Sequence, residues 1–314
     1  MRRDGLRAGL RSLLISMPFL LNACARPADI PPWFDAILRM PVKTVLVQGH
    51  RIVYTDVGDG PPVILVHGFG GSLWQWEYQQ QALSTHFRLI TLDLLGSGFS
   101  DKPEISYTPT ALVEFFRDFM DALALPRASL AGNSMGAGLV IGMALDAAER
   151  VEKVVLISGL PDHVREKLTS PLLKRALAWR APVWLANLGN WFTGQSTTRA
   201  VLEEMVYDHG MLTPVVIERS YQNRRRRGLM APLLSLSGNL PLWEDGFAKR
   251  IGEIRRPTLI IWGVEDEVFP LQVGRDLQTQ LPGASLELIP RAGHIPMWER
   301  PDLVNPLLIR FLSN

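Results

Sequence analysis

Gly132-Asn133-Ser134-Met135-Gly136 is the segment whose residue types and spacing point most directly to chemistry. It follows the apolar run Ala128-Ser129-Leu130-Ala131 and precedes a stretch, Ala137 to Ala148, rich in Ala, Leu, Ile and Met. A G-x-S-x-G pattern between a strand and a helix holds its serine on a tight, strained turn with the hydroxyl exposed. The flanking glycines let neighbouring backbones approach without a Cβ clash. The N-terminus of the following helix favours developing negative charge. A Gly/Ser turn alone would carry the same letters; the strand-to-helix context makes Ser134 the candidate nucleophile.

A serine nucleophile needs a base that takes and returns its proton near neutrality, which suits an imidazole with an unperturbed pKa of about 6.5. The chain has six histidines. His50 falls in a hairpin, His86 precedes the fourth strand, and His163 and His209 lie in a long stretch without strand signals. His67 reads as structural support for the glycine loop that follows it. His294, in Ala292-Gly293-His294-Ile295-Pro296, follows the last strand and alone gives the order Ser, Asp, His. The orienting acid is then Asp266, directly after the run Thr258 to Trp262, because sites gather at strand C-termini in open α/β sheets. Glu265, Glu267 and Asp93 compete; Asp93, in Asp93-Leu94-Leu95-Gly96-Ser97-Gly98, reads as holding a turn. Acyl transfer builds charge on a carbonyl oxygen, so backbone N–H donors must already face it. Phe69, in His67-Gly68-Phe69-Gly70-Gly71, and Met135 are the expected donors. The scheme calls for no cofactor and no metal.

The elements that must position these residues are legible as apolar runs. Val42–Val47 and Ile52–Val57 read as a hairpin turning at Gly49-His50. Val63–Val66, Phe87–Leu92, Ala128–Gly132, Val154–Ile157, Thr258–Trp262 and Ser285–Ile289 are short and mostly unbroken, as strands buried on both faces should be. Helical stretches separate them; Leu112, Phe115, Phe116 and Phe119 stand at helical spacing. The alternation predicts an α/β fold with a doubly wound, mostly parallel sheet. Residues 160–251 break it with no clear strand, and a stretch this long is no loop. It reads as a helical insertion between two core segments, 42–159 and 252–314. Arg224 to Arg227 lie within it and read as a solvated helix face, with anionic lipid headgroups as the alternative.

Hydrophobic residues make up 47% of the 314 and charged residues 20%, a core-forming balance. Of the formal net charge of +2, Arg2, Arg3, Arg7 and Arg11 against Asp4 supply +3, leaving −1 for the rest. Nothing in that balance suggests a nucleic-acid partner. The basic residues precede an apolar run, Leu13 to Leu21, too short to span a bilayer comfortably. Leu21-Asn22-Ala23-Cys24 resembles a bacterial lipobox. That resemblance implies that residues 1–24 are a lipoprotein-type signal cut just before Cys24, that Cys24 is acylated as the first mature residue, and that the protein is lipid-anchored in the cell envelope. An ordinary secretory signal or an uncleaved anchor is the alternative. Cys24 is the single cysteine and supports neither an internal disulfide nor a thiolate metal site. Residues 25–41, with Pro27, Pro31, Pro32 and Pro41, read as a tether.

Taken in order, His67-Gly68-Phe69-Gly70, Asp93 to Ser100, Gly132 to Gly136, Trp262 to Asp266 and Gly293-His294 resemble the α/β-hydrolase superfamily from about Val42 to the C-terminus. The resemblance implies that residues 160–251 are the cap or lid of that family. Haloalkane dehalogenases and epoxide hydrolases of this fold carry aspartate where Ser134 stands, which disfavours them. Lipases and carboxylesterases are the default, so the leading expectation is cleavage of a carboxylic ester through an acyl-enzyme. Carbon–carbon hydrolases of aromatic ring-cleavage pathways are similar around Gly-Asn-Ser-Met-Gly, but many carry an aromatic residue where this chain has Ile295. A cofactor-free perhydrolase, or a non-enzymatic binding lipoprotein on the same scaffold, completes the alternatives. The expected partners are a small ester or acyl substrate and, through the N-terminus, a membrane.

Overall fold

The computed structural model describes residues 40–314. The lipobox with Cys24, and all of the tether except Met40 and Pro41, lie outside them.

Eight strands form one sheet: β1 (Lys43–Val47), β2 (His50–Val57), β3 (Pro62–Val66), β4 (Arg88–Leu92), β5 (Ala128–Asn133), β6 (Val151–Ile157), β7 (Thr258–Gly263) and β8 (Ser285–Ile289). Their spatial order is β1-β2-β4-β3-β5-β6-β7-β8. β1 and β2 run antiparallel to their neighbours and the rest are parallel. The sheet is doubly wound and mostly parallel, as the alternation of apolar runs predicts. β5 and β7 are buried along their whole length, which is why they carry no polar alternation. The first hairpin turns at Gln48-Gly49, not at Gly49-His50. Both turn residues have positive φ (50° and 80°), as a two-residue turn matched to strand twist requires, and His50 pairs with Val47 in β2.

Among the helices, α1 (Glu77–Ser84), α2 (Pro109–Ala122) and α3 (Met135–Asp146) precede or follow the central strands. α2 starts where Thr108 accepts a hydrogen bond from the Ala111 amide (3.1 Å) and Pro109 supplies a preset φ. Between β6 and β7 come α4 (Val164–Lys167), α5 (Pro171–Ala178), α6 (Val183–Phe192), α7 (Gln195–Glu203), α8 (Pro214–Arg224), α9 (Met230–Gly238) and α10 (Leu240–Gly246), with no strand among them. α11 (Leu271–Gln280), α12 (Pro296–Glu299) and α13 (Pro301–Ser313) complete the chain. One face of the sheet is covered by a core containing Phe116, Phe119, Val140 and Leu277. The other is covered by Trp76, Leu83, Phe87 and Leu308.

The arginine run is not a solvated face. Arg224 gives its donors to Thr198, Asn190, Thr193 and Gly194 between α6 and α7. Arg225 lies 4.3 Å over the Trp191 ring and Arg226 lies over Phe99; only Arg227 is exposed. Arginine's planar fork stacks on rings and spans several acceptors at once, which draws these side chains inward. A second arginine ties the helical insertion to the core. Arg219 of α8 makes two hydrogen bonds to Glu77 of α1 (3.0 and 2.9 Å), and the Trp298 indole also donates to Glu77 (2.8 Å). The Arg219 and Glu77 side chains are only 5% and 11% exposed.

Breaking a buried pair by removing one partner strands the other charge and costs about 3–5 kcal/mol. Glu77→Leu is therefore expected to lower the unfolding free energy in urea by about that amount. Glu77→Leu combined with Arg219→Met is expected to recover most of the loss. A double variant no more stable than Glu77→Leu would contradict the pairing.

Candidate active site

Strand register assembles the site before any side chain is considered. Val66, the last residue of β3, pairs with Gly132 of β5, and Asn133 pairs with Ile157 of β6. The loop His67–Gly71 therefore leaves the sheet beside the turn that carries Ser134. Asp266 and His294 follow the ends of β7 and β8, which pair in register up to Gly263 and Ile289.

Ser134 sits at φ 54°, ψ −119°, between β5 and α3. A non-glycine residue held there stores backbone strain of order 1–3 kcal/mol. The neighbouring glycines are required by space. A Cβ on Gly132 would lie 2.3 Å from the Gly136 carbonyl oxygen, and one on Gly136 would lie 2.3 Å from that of Val66.

His294 is 2% exposed, and its Nδ1 lies 2.9 Å from Asp266 Oδ2. Asp266 Oδ1 accepts the amides of Val268 (2.8 Å) and Phe269 (2.9 Å), so both carboxylate oxygens are fixed. The Phe269 ring meets the imidazole edge-on at 5.6 Å. Glu265 instead accepts the Ala292 amide (3.1 Å). Ser134 and His294 line the same cavity, but no direct hydrogen bond joins them; such contacts are often long without substrate. Phe69 and Met135 line the same cavity, and neither amide donates to a protein acceptor.

The competing residues are occupied elsewhere. Asp93 accepts from Ser72 Oγ, the Leu73 amide and the Phe99 amide, all at 2.7 Å, and so holds its turn. His67 Nδ1 donates to the Gly68 carbonyl (2.8 Å) and Nε2 accepts the Leu94 amide (3.1 Å). That pattern fixes the neutral tautomer, and full burial pushes the imidazole pKa down.

Three residues escape a reading of motifs. Asn133 donates to the carbonyls of Ile157 (3.2 Å) and His294 (3.0 Å), joining the Ser134 turn to the histidine loop. Gln75 accepts the Gly68 amide (3.3 Å) and donates to Asn133 (3.1 Å). Glu299 accepts the amides of Gly293 (2.7 Å), Tyr207 (2.7 Å) and Asp208 (3.4 Å). It thereby ties the histidine loop to the insertion, and the His294 amide adds a bond to the Met205 carbonyl (2.8 Å). Their partners lie up to 161 residues away, so only the motif position of Asn133 hinted at a role.

The cavity has a volume of about 540 Å³, within the usual range for a small-molecule site. Leu139, Leu173, Leu233, Trp243 and Phe247 are among its walls. Among the described residues Arg224 is the one charged residue lining it, and all five of its N–H donors are taken by neutral protein groups.

The α/β-hydrolase fold family matches residues 61–301. This chain belongs to that family. It is a hydrolase. A 2-hydroxy-6-oxo-6-phenylhexa-2,4-dienoate hydrolase of Burkholderia cepacia is 28% identical over 274 residues, 85% of this chain and 93% of the relative. A 2-hydroxy-6-oxononadienedioate/2-hydroxy-6-oxononatrienedioate hydrolase of Burkholderia vietnamiensis is 30% identical, covering 83% and 91%. The structure of a meta-cleavage product hydrolase from Pseudomonas fluorescens superposes with a TM-score of 0.74 at 31% identity, covering 86% of this hydrolase and 97% of that chain.

Burial raises the Glu299 carboxyl to about 7 from 4.5, against the lowering effect of its three backbone donors. A raised carboxyl favours the protonated native state, so its contribution is full below about pH 4.5 and is lost as pH rises through 7. The stability difference between the wild type and Glu299→Gln, which cannot titrate, is expected to fall over that window. The slope should approach about 1 kcal/mol per pH unit at most, then flatten. Urea denaturation at pH 5, 6, 7 and 8 measures it; a pH-independent difference would refute the assignment.

Proposed function

We propose that this hydrolase cleaves a carbon–carbon bond beside a carbonyl, in a conjugated oxo-enol substrate of the ring-cleavage type with a bulky apolar end. The observation that carries this reading is the 28–31% identity, over 83–86% of the chain, to hydrolases named for such substrates. Ser134, Asp266 and His294 are the proposed triad. Ser134 Oγ loses its proton to His294 as it approaches the carbonyl carbon. Asp266 holds the imidazole in the tautomer that presents Nε2, and stabilises the imidazolium. The amides of Phe69 and Met135 receive the carbonyl oxygen as it becomes negative. As the carbon–carbon bond breaks, its electron pair passes into the conjugated system of the substrate and the leaving group takes the proton back from His294; a water deprotonated by His294 then releases the acyl group from Ser134 as a carboxylic acid. The helical insertion acts as the cap, and its apolar underside excludes water and holds the hydrocarbon part.

Carboxylic-ester hydrolysis by the same residues is the second reading, and two observations favour it. The dienoate names denote substrates with a carboxylate, yet among the described residues the cavity offers no arginine or lysine donor that is not already engaged. Arg219 is neutralised by Glu77, and Arg224 spends its donors within the cap. Ile295, where many carbon–carbon hydrolases carry an aromatic residue, points the same way.

A single panel separates the readings. Ring-cleavage dienoates with phenyl and methyl ends, and p-nitrophenyl esters of graded acyl length, are compared by kcat/KM. The first reading expects a dienoate to exceed every ester by at least about tenfold. Ester turnover with no dienoate turnover would establish the second reading instead. In either case Ser134→Ala is expected to lower turnover by about 10⁴-fold or more while the protein stays folded, leaving only binding and oxyanion stabilisation. Activity of the wild-type order in that variant would refute the triad.

A further inference from the structure

Helix α6 (Val183–Phe192) is turned inside out. At 100° per residue, Trp184, Leu185, Leu188, Trp191 and Phe192 fall within an arc of about 120°. A surface helix should bury such an arc, yet these side chains are 68%, 40%, 47%, 67% and 79% exposed. Inward it presents Ala186, which is buried, and Gly189 and Asn190, which line the cavity. The small residues let α6 lie close over the cavity, so the large ones face water. A contiguous apolar surface of this kind marks an interaction site rather than scattered exposure.

Charge identifies the partner. From Lys167 to Leu202 the chain carries Lys167, Lys174, Arg175, Arg180 and Arg199 and no Asp or Glu. Lys167 and Arg199 pair with Asp162 and Glu203, just outside that stretch. Lys174 and Arg175 on α5, and Arg180 between α5 and α6, are all exposed and have no ion pair among the described residues. Arg225 donates to the Trp191 carbonyl (2.7 Å) and stacks on its ring, fixing a cation at the edge of the apolar face. Trp, Phe and Leu on one side with flanking cations is the composition of a helix that lies in the plane of a membrane interface. Indole rings and long basic side chains each suit that boundary, apolar body inward and polar end outward. The sequence before residue 40, with its basic residues, apolar run and lipobox-like segment, is of a kind that brings a protein body to a bilayer.

We infer that α6 docks on an anionic phospholipid bilayer, its aromatic arc at the boundary between headgroups and acyl chains. The opposite side of the same helix lines the cavity, so docking sets the cavity roof against the membrane and gives apolar substrates a short path from lipid to Ser134. This docking does not depend on which bond beside the carbonyl is cleaved.

The test uses the full chain with vesicles of phosphatidylcholine alone or with 30% phosphatidylglycerol, and reads α6 directly. Anionic vesicles are expected to slow amide exchange across residues 183–192, and lipids brominated on the acyl chain should quench Trp184 and Trp191. Leu188→Glu with Phe192→Glu keeps both tryptophans and touches no cavity residue. It should abolish the protection, require at least tenfold more lipid for quenching, and leave turnover of a water-soluble substrate unchanged. Vesicle-bound protein with unaltered exchange at 183–192 would overturn the proposal. So would protection that appears without vesicles and grows with protein concentration, since a second copy would then cover the face.

Discussion

The close crossing of three backbones around Ser134 is the constraint on which the rest of the site depends. β3, β5 and α3 approach until a single methyl on Gly132 or Gly136 would fall 2.3 Å from a carbonyl oxygen. That approach forces Ser134 to positive φ and lifts its side chain off the sheet. It also determines which loop can face the serine. Because Val66 pairs with Gly132, the chain leaving β3 must pass the Ser134 turn, and a Cβ on Gly68 would lie only 3.3 Å from the Ser134 Cβ. Oxyanion donors need this proximity, since an N–H helps only if it already faces the developing charge.

A second layer of polar contacts transmits that geometry to the histidine loop and onward to the helical insertion. Asn133 bonds the His294 carbonyl, and Glu299 and Met205 hold the same loop from the other side. A Cβ on Gly293 would lie 2.7 Å from the Met205 carbonyl oxygen, so glycine there is the condition for insertion and loop to touch. The position of the imidazole and the seating of the helical insertion are thus one mechanical problem. Fully satisfied buried networks of this kind specify a single arrangement, because any shift leaves a desolvated donor unpaired.

Arg219 and Arg224 of the helical insertion serve architecture rather than the cavity. Arg219 closes onto Glu77 and Trp298, and Arg224 laces the segment between α6 and α7. What remains for a substrate is a wide apolar wall with a few neutral polar groups. The chain shares its fold and about 30% of its residues with hydrolases named for ring-cleavage products. Its cavity is walled mainly by apolar side chains.

Much of this was legible in the sequence. Short apolar runs marked the strands because a doubly covered sheet tolerates no polar alternation, and the G-x-S-x-G turn located Ser134 because its steric demands fall on adjacent residues. Chain order pointed to Asp266 and His294, which the structure joins at 2.9 Å. Where demands were not local, the sequence was silent or misleading. Arg224 to Arg227 read as a solvated face because the carbonyls and rings that receive them are brought in by other helices. Glu299, Gln75 and Arg219 had no motif, since each acts on partners far along the chain. The apolar arc of α6 was written in its periodicity, but periodicity does not say which way an arc faces. That was decided by the cavity beneath it, where Ala186, Gly189 and Asn190 could fit and tryptophan could not.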